Sequence, residues 1–535
     1  MSSNYDVICI GSGLGGLTAA ALSAKRGMKV LVLERHTQFG GAATVFHRKG
    51  LRVEVGLHEM DGLDSIDPKA SIFRSLELDQ DLQFLPVGNF FGLRAPWLQQ
   101  EYVMPEGVES AVRTAIEHFP DQERSIKAYF KTICRIRRCM SRYKRANKTI
   151  LWWLFNGPVF PFLYWPLLKY EKETVGGLLR RLFGDREDVK LALCANLLYY
   201  SQDPEELSLL FFSAAQGGYH EGGGYYLKGG SQVLSDRLVE IVRQHGGEVV
   251  SRREVTRTLV EDNRAIGVEH ERAGLIASGN PPRATDRLKA FAPVIFGNAA
   301  PNVLARTLPE RLRSAFLKPY QRFKPSPSLW TVYLEFNRPP SEFGVTQYST
   351  FVYPAWMRTL SDTPAAIKLL GAVPTEKTPP FVFVDYSRVD ANLSSRGSFF
   401  GVICGLDDGR VWKSLSEYEY RERKSQWEAA IVGALDHQYP GIRASIIYKE
   451  MATAKTVERY LGTPDGAVYG FSQQPLSAGR FRPSSKTALK GLWLASAFAF
   501  PGGGFTGAML AGEAAVEAVF GREKIPGIGA VTHNH

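Results

Sequence analysis

The sequence predicts an α/β protein: a parallel sheet flanked by helices and assembled from segments far apart in the chain, joined to a second, α+β unit with a mixed or antiparallel sheet. Three observations predict it. A strand–glycine loop–helix–strand unit opens the chain, a glycine block followed by a helix and alternating strands stands near its middle, and a strand–glycine loop–helix unit stands near its end. With 535 residues the chain exceeds what one hydrophobic core organises, and 44% apolar with 22% charged residues is a globular composition that sets disordered and fibrous classes aside.

In the first unit, residues 5–10 read as a buried strand with Val7, Ile8 and Ile10 apolar. Gly11-Ser12-Gly13-Leu14-Gly15-Gly16 follows, then an Ala-rich helix over 17–26 stopped by Gly27, then an apolar strand over 29–33 with Glu34 at its end. Each part answers a need of dinucleotide binding. Gly11 permits the tight turn, Gly13 lets the backbone approach a pyrophosphate, and Gly16 lets helix and strand pack closely. Leu14 and Gly15 are candidate cofactor contacts within the loop, and the start of the helix that follows turns free N–H groups and a positive dipole end toward the phosphates. Glu34, 23 residues after Gly11, is placed to accept hydrogen bonds from ribose hydroxyls.

Arg35, then Gly40-Gly41-Ala42-Ala43-Thr44, then Gly50-Leu51-Arg52-Val53-Glu54-Val55-Gly56-Leu57-His58 come next. Here the sequence resembles the phytoene desaturase superfamily of flavoproteins, which also holds carotenoid isomerases and retinol saturases and is more distantly related to amine oxidases. The resemblance implies FAD as cofactor, with Arg35, Gly40, Gly41 and Ala42 against it. Residues 53–58 look most like the retinol saturase version, with Val53 in place of an aromatic and Glu54 in place of Asp.

In the middle block, Glu221-Gly222-Gly223-Gly224 leads to Gly229-Gly230 and to Ser231, a candidate N-cap. Val233, Leu234, Leu238, Ile241 and Val242 form an apolar stripe at helical spacing. Residues 248–259 and 265–270 read as strands, and the resemblance brings Val255 to the adenine; 292–297 is a further apolar strand. Near the end, 491–497 reads as a buried strand, followed by Pro501-Gly502-Gly503-Gly504-Phe505-Thr506-Gly507 and a small-residue helix through Val519. The resemblance implies that this unit closes over the flavin, with Gly503, Gly504 and Thr506 at the helix start facing it. Phe498 stands where the family carries small residues. The expected organisation is an FAD-binding domain from 1–95, 221–300 and 461–535, and a substrate domain from 96–220 and 301–460. A strand over 329–336 in the second domain alternates Trp330, Val332 and Leu334.

Net charge is +11, and one run carries most of it: Lys131, Arg135, Arg137, Arg138, Arg142, Lys144, Arg145 and Lys148, with no acid among them. Residues 150–168 are uncharged and rich in aromatics, but Gly157, Pro158, Pro161 and Pro166 would break a spanning helix. The expectation is peripheral, monotopic contact with the cytoplasmic face of a membrane through residues 131–168, Trp and Tyr at the headgroups and the basic run on anionic lipid. Nothing else in the chain supports nucleic acid as a partner. The five cysteines are odd in number and contain no Cys-x-x-Cys pair, so reduced thiols are expected rather than a disulfide framework or a metal site. Cys9 reads as a small buried hydrophobe, and the short polar start reads as lacking a signal peptide.

FAD chemistry needs a substrate carbon near the flavin and a group that moves protons. His58, Glu59, His220 and Glu221 are the candidate catalytic residues. No Gly-x-Ser-x-Gly elbow, His-Glu-x-x-His, Walker loop or second dinucleotide fingerprint occurs. The expected function is FAD-dependent desaturation, saturation or isomerisation of a carotenoid, retinoid-like or other polyene or lipid. An amine oxidase-like flavoenzyme and a non-catalytic, membrane-docked protein that keeps the fold remain open.

Overall fold

Short, mostly apolar strands form the centre of the molecule. In the computed structural model, which describes residues 2–48, 50–145, 157–200, 203–274, 286–389, 392–394 and 397–521, five of them make one sheet. Its order is Glu248–Val250, Val30–Leu33, Val7–Ile10, Val294–Gly297, Leu492–Leu494, and every pairing is parallel. Parallel sheets need both faces covered, which is why these strands read as continuous apolar runs. One face, with Val7, Cys9, Val30, Val32 and Phe296, joins the core under the helices Leu14–Lys25, Ser231–Gln244 and Gly504–Phe520. The other, with Ile8, Leu31, Leu33, Ile295 and Leu494, packs on a second sheet ordered Ser2–Asn4, Leu288–Phe291, Arg264–Arg272, Arg253–Glu261.

The three predicted segments therefore meet in one sheet, with two differences in detail. The run 248–259 is two strands in two sheets: Arg252, at φ 57°, turns the chain, and the N–H groups of Arg252 and Arg253 donate to the carbonyls of His36 and Glu34. Ser231 is the first residue of its helix, not its cap. The capping acceptor is the buried carboxylate of Glu54, which takes the Ser231 N–H at 2.7 Å and its hydroxyl at 2.6 Å.

The second unit is a seven-stranded sheet ordered Ile446–Ala452, Ser328–Phe336, Phe399–Asp407, Phe381–Asp385, Ser349–Val352, Phe91–Arg94, Tyr102–Met104. It is antiparallel except where Ser349–Val352 runs alongside Phe91–Arg94. Trp330, Val332, Leu334 and Phe336 share a core with Trp427, Ile431 and Leu435 of the helix Glu417–Gln438. Leu329, Thr331 and Tyr333, on the opposite face, line a large cleft between the two units.

The helices Leu14–Lys25 and Gly504–Phe520 cross with almost no room. A Cβ on Gly512 would lie 2.3 Å from the Gly15 carbonyl oxygen, and one on Gly15 would lie 2.4 Å from that of Ala495. Glycine to alanine inside a helix ordinarily stabilises, by about 1 kcal/mol. Gly512→Ala is expected to do the opposite and cost about 1–3 kcal/mol through overpacking, seen as a lower urea midpoint at unchanged slope.

Candidate functional site

The carboxyl ends of the parallel strands open into a cleft of about 1370 Å³, larger than the ~300–1,000 Å³ usual for a small-molecule site. Two helices begin there. Leu14–Lys25 and Gly504–Phe520 both start at glycines, Gly13 and Gly503, with no side-chain cap and no acid in the first turn. Their free N–H groups and positive dipole ends thus face one space, an arrangement that an anion such as a pyrophosphate satisfies.

Of the expected cofactor residues, Gly11, Gly13, Leu14, Gly15, Glu34, Arg35, Gly40, Gly41, Ala42, Val255, Gly503, Gly504 and Thr506 all line the cleft. Gly16 is not among the lining residues. It packs instead against Asn298, whose Cβ would be 2.8 Å from an added methyl, in keeping with close helix–strand packing. Gly229 and Gly230 also lie outside the lining; their segment reaches the cleft through Arg253, Glu254 and Val255 and again at Asn298, Ala299 and Ala300. Glu34 is buried and takes the N–H and hydroxyl of Ser12 on Oε2, at 2.8 and 2.7 Å, and the His36 N–H on Oε1. Arg35 donates to the Tyr460 carbonyl. Asn298 went unread in the sequence, although it directly follows the apolar strand ending at Gly297 and touches both Gly13 and Gly16.

The proton-handling residues divide. His58 and Glu59 line the cleft, on a backbone pinned by three tyrosines. The hydroxyls of Tyr386, Tyr348 and Tyr219 donate to the carbonyls of Leu57, His58 and Glu59 at 2.8, 2.6 and 3.3 Å. Enclosure without a carboxylate partner pushes the His58 pKa down to about 4, so the ring is neutral, with Nδ1 3.1 Å from the Tyr199 hydroxyl. Glu59 goes the other way: burial first, and the charge of Asp61 second, push it up to about 8. Its Oε2 is buried with no protein partner among the described residues. Asp61, missed in the sequence although it is two residues on, also lines the cleft; it accepts from Thr506 Oγ1 at 3.1 Å and lies 3.7 Å from the Nζ of buried Lys69.

His220 and Glu221, also expected as catalytic candidates, are not among the lining residues. The helix Leu209–Gly222 shows Phe211, Ala215 and Tyr219 to the cleft, at spacings of four. His220 turns to the other side, edge-on to Phe90 and Phe130, with burial pushing its pKa to about 3. Glu221 forms ion pairs with Arg137 and Arg138.

A family model of the NAD(P)-binding Rossmann-like domain matches residues 9–73. All-trans-retinol 13,14-reductase of Danio rerio is 24% identical over 492 residues, which cover 87% of this chain and 77% of that one. Prolycopene isomerase 2, chloroplastic, of an Oncidium hybrid cultivar is 24% identical over 556 residues, covering 99% and 86%. The chain fits the superfamily of phytoene desaturases, carotenoid isomerases and retinol saturases. The wider fold extends further: the structure of cyclohexylamine oxidase from Brevibacterium oxydans superposes with a TM-score of 0.56 at 16% identity, over 96% of this chain and 98% of that one. FAD is the cofactor of this superfamily, and the paired helix starts, the glycine cradle around Asn298 and the volume of the cleft fit it.

The raised Glu59 pKa has a consequence for stability. The folded state favours the protonated acid, so this contribution is complete below about pH 4.5, falls as pH rises toward 8 and is absent above it. Glu59→Gln is therefore expected to exceed the wild type in stability at pH 9, by on the order of 2–4 kcal/mol. The gap should close below pH 4.5 in urea titrations run across pH.

Proposed function

We propose that this protein is an FAD-dependent oxidoreductase that adds hydrogen to, removes it from, or isomerises carbon–carbon double bonds of a polyene taken from a membrane surface. The observation that carries the reading is what lines the cleft. One cleft holds the two uncapped helix starts, Glu59 and His58, and a largely aromatic and aliphatic group of Met140, Tyr199, Tyr200, Leu210, Phe211 and Tyr219. That wall suits a long polyene chain, which both retinol and prolycopene, the compounds in the relatives' names, contain.

The bound flavin supplies or accepts the hydride. The chain supplies the proton. Neutral at pH 7, Glu59 holds a proton on a carboxyl that faces the cleft, able to donate it to one carbon as the neighbouring carbon gains hydride. In the desaturating direction the same carboxylate takes the proton back. His58, held by Tyr199, orients and excludes water rather than donating, because its ring is already neutral. The aromatic wall keeps the reacting carbons dry.

The membrane reading draws support from the helix Glu123–Arg145. Lys131, Arg135, Arg138 and Arg142 form one exposed stripe at helical spacing. Arg137 and Lys144 turn inward instead, to Asp64 and Glu221 and to Glu513, so the basic run is only partly a surface feature. Tyr143 of the same helix packs against Phe160 and Tyr164, which places Phe162, 80% exposed, and Trp165, 53% exposed, nearby. Met140 joins that face to the cleft. Among the described residues no helix is long and apolar enough to cross a membrane. Lys148 and residues 150–156 of the aromatic segment lie outside the described residues.

Two measurements test this. Anaerobically reduced protein mixed with all-trans-retinol or prolycopene in stopped flow is expected to regain the oxidised flavin spectrum or change the polyene's. Glu59→Gln should slow the step by about 10²–10⁴-fold. Inertness toward every polyene, with turnover of alkylamines instead, would assign the chain to amine oxidation. In flotation with phosphatidylserine vesicles, Lys131→Glu, Arg135→Glu and Arg142→Glu combined should lower binding at least ~100-fold, at about 1 kcal/mol per lost charge. Unchanged binding would remove the membrane from the proposal.

A further inference from the structure

Arg482 is a buried cation that does not line the cleft. Its residue is 4% exposed, and no carboxylate lies within ion-pair distance of it among the described residues. Backbone alone holds it. Nη2 donates to the carbonyls of Ala497 at 2.8 Å and Tyr469 at 3.4 Å, Nη1 to Phe471 at 3.0 Å, and Nε to Ala499 at 3.2 Å. The chain makes room for it: Gly502 has φ 68°, and a Cβ there would lie 2.2 Å from the guanidinium. Tyr469, Phe471, Ala497 and Gly502 all line the cleft. Arg482 thus clamps two separate stretches of cleft wall together from behind.

Hydrogen bonding alone does not call for this residue. A charge taken out of water without a counter-charge is strongly disfavoured, and neutral donors would close the same gap with a smaller penalty. Burial accordingly pulls the Arg482 pKa down to about 9. A negative charge on a group bound in front of the wall would supply the missing counter-charge. Two-electron reduction of a flavin near neutral pH places negative charge on its ring system.

We propose that Arg482 is a positioning residue with an electrostatic role. It holds the wall formed by residues 469–471 and 497–502, and its fixed positive charge makes the bound flavin easier to reduce. The inference rests on the FAD reading above. Its effect passes through the wall, since the guanidinium itself does not line the cleft.

Three substitutions separate charge from clamp. Arg482→Met removes both, Arg482→Gln keeps donors without charge, and Arg482→Lys keeps charge with a poorer clamp. Each variant is reconstituted with FAD, its flavin occupancy measured, and its midpoint potential determined against a dye. Arg482→Met and Arg482→Gln are expected to shift the potential negative, each ~30 mV corresponding to a tenfold smaller ratio of reduced to oxidised flavin at a given poise. Arg482→Lys, with all potentials read at about pH 6 so that the buried ammonium keeps its charge, should match the wild-type potential even as its urea midpoint falls. Should Arg482→Met fail to fold, Arg482→Gln against Arg482→Lys carries the same comparison. Potentials equal to the wild type in Arg482→Met or Arg482→Gln, at full occupancy, would overturn the inference and leave a purely structural clamp. A wild type that cannot be reconstituted with FAD would instead sink the flavin reading beneath it.

Discussion

Two helix N-termini share one space, and the rest of the site depends on that constraint. The parallel order of the five-stranded sheet sends the chain out of Val7–Ile10 and Leu492–Leu494 at the same end, and the glycine contacts between Leu14–Lys25 and Gly504–Phe520 hold the helices that follow side by side. Two positive dipole ends so placed repel each other. Neither is capped by a side chain or relieved by an acid in its first turn. The sheet thereby imposes an electrostatic imbalance that a bound diphosphate removes.

Around that imbalance the carboxylates are sorted by their partners. Glu54 takes the N–H groups of Gly56, Leu57 and Ser231 and the hydroxyls of Ser231 and Tyr226, so it fastens the hairpin Val45–Arg48/Leu51–Glu54 to the helix Ser231–Gln244. Glu59, five residues later, is also buried, yet its Oε2 meets no donor among the described residues. One acid is committed to architecture and the other is left poised. Burial is common to both; the supply of donors separates them.

Much of this was legible in the sequence. The spacing of Gly11, Gly13, Gly16 and Glu34 is set by the geometry of one turn and two strands, and local spacing is what a sequence records directly. The alternation of Trp330, Val332 and Leu334 placed a sheet face in the same way. The rest turned on facing and on distant partners. The Gly222–Gly224 block drew attention to His220 and Glu221, but His220 is rotated by about a third of a helical turn from Tyr219, and that rotation is set by packing on Phe90 and Phe130. The basic run looked uniform until Asp64, Glu221 and Glu513, remote in the chain, claimed Arg137, Arg138 and Lys144. The break at Arg252 within an unbroken β pattern reflects hydrogen bonds to His36 and Glu34 that no local signal announces.

The strand Leu492–Leu494 is the edge of the five-stranded sheet and is nearly 500 positions from the strand Val7–Ile10 it helps enclose. Chains are made from the N-terminus at ~5–20 residues per second, and contacts between remote positions close slowly. The glycine turn at residues 11–16 therefore leaves the ribosome well before the helix that completes its binding site. Through that interval its apolar strands lack their final neighbour and stand open to misassociation. Flavin capture belongs to the last stage of biosynthesis, and the nascent N-terminal half has to be kept from aggregating without the ligand's help.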